Sequence, residues 1–196
     1  MRIFIALDID DAIRERIARF MDGVRGFAPE ARWVRPESLH VTLKFIGEKP
    51  AEIVDQIKQA LSSVRAEKIE LVFRGYGFFP TANAARVFWA GIESGPELTT
   101  LAKAVDNTSN MIGIPREDHP FSPHVTLARR AGGSGAPRWR KGDGPNLGFA
   151  HLQEKLAVLP APEFGAMTAR DFFLYESQLL RGGAKYTKIA RFGFDQ

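Results

Sequence analysis

Cysteine is absent from all 196 residues. That removes disulfides, cysteine-based metal centres and thiol nucleophiles together, and it fits a reducing compartment. Long apolar runs are missing too: none approaches the roughly 18 residues of a membrane span. The start, Met1-Arg2-Ile3-Phe4-Ile5-Ala6-Leu7-Asp8, is too short and too soon acidic for a signal peptide. A soluble, cytoplasmic chain with no membrane partner is therefore expected. One-sided charge is lacking as well, since 27 basic side chains face 23 acidic ones for a net +4, a balance that permits an anionic partner without demanding one. What remains is an ordinary globular composition, 44% hydrophobic, sized for one generous domain or two small lobes sharing a core.

Histidine is scarce, with four in all, yet two of them begin the same tetrapeptide: His40-Val41-Thr42-Leu43 and His124-Val125-Thr126-Leu127. The offset is 84 residues, and it also aligns Pro36-Glu37-Ser38-Leu39 with Pro120-Phe121-Ser122-Pro123. Further back, the same register sets Phe4 and Ala6 on Phe88 and Ala90. A single fixed register points to two related halves, each opening with an apolar strand and each carrying one His-x-Thr. Strand alternation then puts His40 and Thr42 on one face and Val41, Leu43 and Phe45 on the other. The second copy divides the same way, so two polar faces can meet across a cleft.

Residues 2 to 9 read as a central strand, apolar on both faces. A helix capped by Asp10 or Asp11 follows, with Ile13, Ile17, Phe20 or Met21, and Val24 as its stripe. The first His strand ends at Gly47 and Pro50, before a helix with Ile53, Ile57, Leu61 and Val64. Residues 69 to 73 and 86 to 92 read as strands separated by a turn region from Gly75 to Pro80. Pro96 suits the first turn of a third helix that carries Leu98, Leu101, Val105 and Ile112 and closes at Gly113. The second His strand leads into a glycine- and proline-rich segment, 131 to 145, with Arg138, Arg140 and Lys141, expected to be a mobile basic loop. Residues 164 to 168, 171 to 177 and 186 to 194 complete the strands. The pattern describes one bilobal α+β domain over residues 1 to 196, a pseudo-two-fold duplication with mixed or antiparallel sheets lining a central cleft and helices outside.

Two imidazoles facing one another can hold opposite protonation states near neutral pH. In-line displacement at phosphorus needs that, because the incoming oxygen loses a proton and the leaving oxygen gains one. Thr42 and Thr126 could donate to non-bridging phosphate oxygens. Alternation continues the first His face to Lys44 and the second to Arg130, leaving Arg129 on the opposite face unless the strand twists; one of the two arginines is expected on the phosphate.

These motifs, with Arg2-Ile3-Phe4-Ile5-Ala6-Leu7 at the start, His124-Val125-Thr126-Leu127-Ala128-Arg129 in the middle and Leu174-Tyr175-Glu176-Ser177 near the end, resemble the two-histidine (2H) phosphoesterase superfamily. Within it the chain is most similar to the RNA 2',3'-cyclic phosphodiesterase branch, also called 2'-5' RNA ligase. The resemblance implies opening of a terminal 2',3'-cyclic phosphate to a 2'-phosphomonoester, with no metal or nucleotide cofactor. It implies His40 as proton donor to the leaving 3'-oxygen, His124 as the base that activates water, and Arg129 as the motif arginine, against the alternation argument for Arg130. The partner it implies is RNA with a 2',3'-cyclic phosphate end, a tRNA-like fragment or an oligonucleotide; a monomer is expected.

Other readings stand beside this one. The same histidines could serve a phosphodiesterase for 2'-5' oligonucleotides or another small cyclic phosphate. A catalytically silent module that binds RNA ends is a different class, and two intact motifs argue against it. Zinc is poorly served by two histidines without a third ligand. His119, before Pro120 in a loop, and His151, in a short polar helix, read as ordinary histidines. Tyr175, Phe78, Phe79 and Trp89 read as core before they read as base-stacking platforms.

Overall fold

Five consecutive apolar residues, Ile3 to Leu7, need cover on both sides of the strand they form, and the fold supplies it. The computed structural model describes residues 1–131, 148–181 and 183–195. In it β1 (Arg2–Leu7) lies between β3 (Val41–Glu48) and β8 (Asp171–Leu180), antiparallel to both. Outward from β8 comes β9 (Gly183–Gly193). On the other side β3 meets β6 (His124–Arg129), followed by β5 (Val87–Ser94), β4 (Ile69–Phe79) and β7 (Glu163–Ala169). The two-residue β2 (Arg32–Trp33) also pairs with β6. All these pairings are antiparallel, so the two expected lobes are halves of one continuous sheet joined at β3 and β6.

Helices cover one face of that sheet. In α1 (Asp11–Val24) the stripe Ile13, Ile17, Met21 and Val24 is buried, as its spacing requires. In α2 (Ala51–Leu61) the buried residues are Val54, Ile57 and Leu61; α3 (Pro96–Met111) buries Leu98, Leu101 and Val105, and α4 (Ala150–Ala157) buries Leu152 and Leu156. These join Ile3, Ile5 and Leu7 in one core. Each such side chain taken fully out of water contributes roughly 1.5–3 kcal/mol. Phe4 and Ala6 point the other way, into a small separate cluster with Phe173 and Tyr175. That second face carries the histidines.

Two expectations need correction. The segment from Gly75 is no turn, because β4 runs on to Phe79; Gly75, at φ +71°, sits where the pairing with β5 skips a residue between Phe73 and Tyr76. A glycine in the left-handed region at such a skip is a β-bulge, which bends a strand without ending it. The repeat also slips by one residue in its first strands. Ala6 stands opposite Thr42 while Trp89 stands opposite Thr126, so Ala6 corresponds to Trp89 and Phe4 to Val87. Phe88 and Ala90 belong to the core face.

The expected basic loop lies almost wholly outside the described residues. No helix among the described residues is long and apolar enough to cross a membrane.

Candidate active site

Val41 pairs with Val125. Continued by one residue either way, this antiparallel register sets Thr42 opposite His124 and His40 opposite Thr126, all four on the face away from the two valines. The offset of 84 thus becomes a local two-fold axis between Val41 and Val125. The histidines form a diagonal pair across it, a relation that sets neighbouring residues roughly 7–8 Å apart, with their Cβ atoms somewhat closer. The rings lie close enough that His40 feels the charge of His124.

The two rings are held alike. His40 Nδ1 lies 2.7 Å from the Ser38 carbonyl oxygen, and His124 Nδ1 lies 2.7 Å from that of Ser122. A carbonyl only accepts, so Nδ1 carries the proton in both rings and Nε2 presents a lone pair when the ring is neutral. His40 Nε2 accepts from the Thr42 hydroxyl at 2.9 Å. The repeat had already aligned Ser38 with Ser122, although backbone carbonyls leave no other mark in a sequence.

Both imidazoles are kept neutral. Burial pushes His40 down to about 4, against the Ser38 hydrogen bond, which favours the charged ring; Arg129 and His124 add to the lowering. His124 is lowered by burial too, again opposed by its serine carbonyl and helped by Arg129. Aromatic rings enclose them on both sides. Phe4 lies 4.7 Å from His40 and Tyr186 meets it edge-on at 5.3 Å, while Phe79 meets His124 edge-on at 4.9 Å and Trp89 lies 6.3 Å away. Phe78 instead packs in the core against Phe88 and Phe149. Phe79, Trp89 and Tyr175 are thus at the site as well as in packing, and Phe4 and Tyr186 are site residues that alternation in isolated segments did not reveal.

A bulge decides between the arginines. Phe88 pairs with Ala128 and Trp89 with Thr126, so Leu127 is an extra residue and the alternation of β6 reverses beyond it. Val87 then pairs with Arg129, which returns to the His face and acts electrostatically on both rings. Arg130 turns away and is exposed. The first copy has the matching bulge at Leu43, since Ile5 pairs with Lys44 and Ala6 with Thr42. Lys44 is accordingly not on the His face as alternation predicts. It is buried, donating to Asp106 at 2.5 Å and to the Pro115 carbonyl at 2.8 Å. That ion pair ties β3 to α3 and to the segment leading into the second motif.

Asp8, at the end of β1, accepts from Arg14 at 2.6 Å and from Lys188. Arg14 also donates to the carbonyls of Pro36 and Leu39, bracing the approach to His40. His119 lies in an exposed loop; His151, on α4, packs edge-on against Phe27. Among the described residues, no three His, Asp or Glu side chains gather as a metal site would require.

Residues 7–89 match the LigT-like phosphoesterase family. An RNA 2',3'-cyclic phosphodiesterase of Archaeoglobus fulgidus is 34% identical over 192 residues, spanning 98% of this chain and 99% of the relative. The chain belongs to the LigT-like phosphoesterases. Its two-histidine repeat is therefore that of the 2H phosphoesterase superfamily. The RNA 2',3'-cyclic phosphodiesterase of Escherichia coli K12 is 30% identical across 100% of this chain and 97% of its own length. Among solved structures, E. coli LigT complexed with 3'-AMP is 27% identical, with a TM-score of 0.77, covering 100% of this chain and 98% of that one. The α+β architecture with a curled antiparallel sheet is that of LigT-like phosphoesterases.

Proposed function

We propose that this chain hydrolyses the terminal 2',3'-cyclic phosphate of RNA to a 2'-phosphomonoester. His124 takes the proton of an attacking water, the bond from phosphorus to O3' breaks, and His40 delivers a proton to O3'. The observation that carries this reading is the pair of Nδ1-anchored imidazoles on one face, related by a local two-fold axis, each with a lone pair at Nε2. The names of the relatives support it. In the free protein His40 is neutral, so its proton has to be acquired as the substrate binds. A phosphodiester anion seated between the rings favours the charged imidazole and supplies that change. Thr42, Thr126 and Arg129 contact the non-bridging oxygens and offset charge as it grows. With a 5'-hydroxyl in place of water as the nucleophile, the same breaking of the bond from phosphorus to O3' would form a 2'-5' linkage.

The test is incubation with RNA bearing a 2',3'-cyclic phosphate, with and without EDTA, and identification of the product end. Release of a 2'-phosphate that survives chelation and is lost in His40→Ala and in His124→Ala supports the reading. Binding without turnover would replace it with an end-binding module. We infer a monomer in the cytoplasm, the former checked by light scattering.

A further inference from the structure

In-line opening of a cyclic phosphate treats the two sides of phosphorus differently. Water approaches on the side of the base. The leaving O3' stays on its ribose, so the nucleoside, and any RNA leading to it, lies on the side of the acid. A cavity of about 490 Å³ opens beside His40, with Asp8, Ser38, Tyr175, Lys185 and Tyr186 in its wall, and His124 is not part of that wall. Its size falls within the roughly 300–1,000 Å³ of small-molecule sites.

We propose that this cavity is the subsite for the terminal nucleoside and that Lys185 holds the phosphodiester joining that nucleoside to the rest of the RNA. The inference rests on the hydrolytic reading above, in which His40 is the acid. The rings of Tyr175 and Tyr186 offer the base an aromatic wall, the sequence-tolerant way to bind a nucleobase. The charges in the wall are accounted for but one. Asp8 is engaged by Arg14 and Lys188, and Glu37 lies 3.9 Å from Arg35. Lys185, exposed on β9 opposite Gln178, has no carboxylate within ion-pair distance among the described residues. An exposed cation in the wall of a nucleoside-sized cavity suits the single phosphodiester on the 5' side of the terminal nucleoside, a linkage that a cyclic mononucleotide lacks.

The experiment compares a nucleoside 2',3'-cyclic monophosphate with a dinucleotide ending in the same cyclic phosphate. Lys185→Gln is expected to raise KM for the dinucleotide about five-fold, to flatten its salt dependence by roughly one ion, and to leave kcat and the mononucleotide unchanged. Lys185→Arg should restore the dinucleotide. Arg130→Gln, off the His face, should affect neither. The proposal is overturned if Lys185→Gln spares the dinucleotide, if it impairs both substrates equally, or if Arg130→Gln shows the dinucleotide-specific loss. Calorimetric binding of the dinucleotide 2'-phosphate to wild type and Lys185→Gln reads the same subsite without turnover. A protein that opens neither substrate but binds this product through Lys185 would refute hydrolysis and keep the subsite.

Discussion

Replacing Arg129 by glutamine tests whether the bulge at Leu127 sets the chemistry of the site. Three consequences follow from its position. Arg129 lies where its charge reaches both imidazoles, so its loss removes a charge-assisted contact to the phosphate, worth about 1.5–3 kcal/mol and hence roughly 10- to 100-fold in kcat/KM. The same cation lowers both histidines, so its loss lets them rise, and the acidic limb of the kcat/KM profile moves to higher pH. Stability should hold, because Arg129 stands directly across from Arg32 in the β2 and β6 pair, and facing like charges are unfavourable. Arg130→Gln should leave rate, pH profile and melting temperature unchanged. The assay is kcat/KM from pH 4.5 to 8.5 on one cyclic-phosphate substrate, with thermal denaturation of each variant alongside. A loss of rate in Arg130→Gln that exceeds the loss in Arg129→Gln would refute the parity argument, and an unmoved acidic limb in Arg129→Gln would refute the electrostatic one.

Three further outcomes are expected. His40 titrates near 6.5 when unfolded and about 4 when folded, so its contribution to stability is complete above pH 6.5 and is lost as pH falls through 4; urea midpoints between these values should drop less steeply in His40→Asn. Lys44→Ala should cost about 1.5–3 kcal/mol in chemical denaturation by removing the buried cation that Asp106 accepts from, although Asp106 keeps the Glu117 N–H and Arg116 at 3.9 Å, and Lys44→Met with Asp106→Leu should recover much of it. A Cβ at Gly77 would meet the Trp89 ring at 2.1 Å, so Gly77→Ala should displace that ring from beside His124, lowering kcat and altering tryptophan fluorescence.

Periodicity made most of the fold legible. The stripe Ile13, Ile17, Met21 and Val24 is buried where its spacing placed it, and Pro96 opens α3. Segments with a single period and ordinary caps read well because one physical demand, burial of one face, governs them. Reading failed where the period broke. Gly75 looked like a turn because a glycine that bends a strand and one that ends it are the same residue. Lys44 looked like a site residue because a bulge leaves no composition of its own.

The amino-acid order alone determined the duplication: two His-x-Thr copies at one offset, each with a serine two residues upstream, and hence the paired-imidazole chemistry, since covalent spacing within one strand sets which side chains share its face. Tertiary structure decided everything that depends on a second strand. The axis between Val41 and Val125, the return of Arg129 to the His face, the burial of Lys44 and the approach of Tyr186 to His40 all come from pairing register and bulges. Register is a relation between segments distant in the chain, so no stretch read by itself contains it.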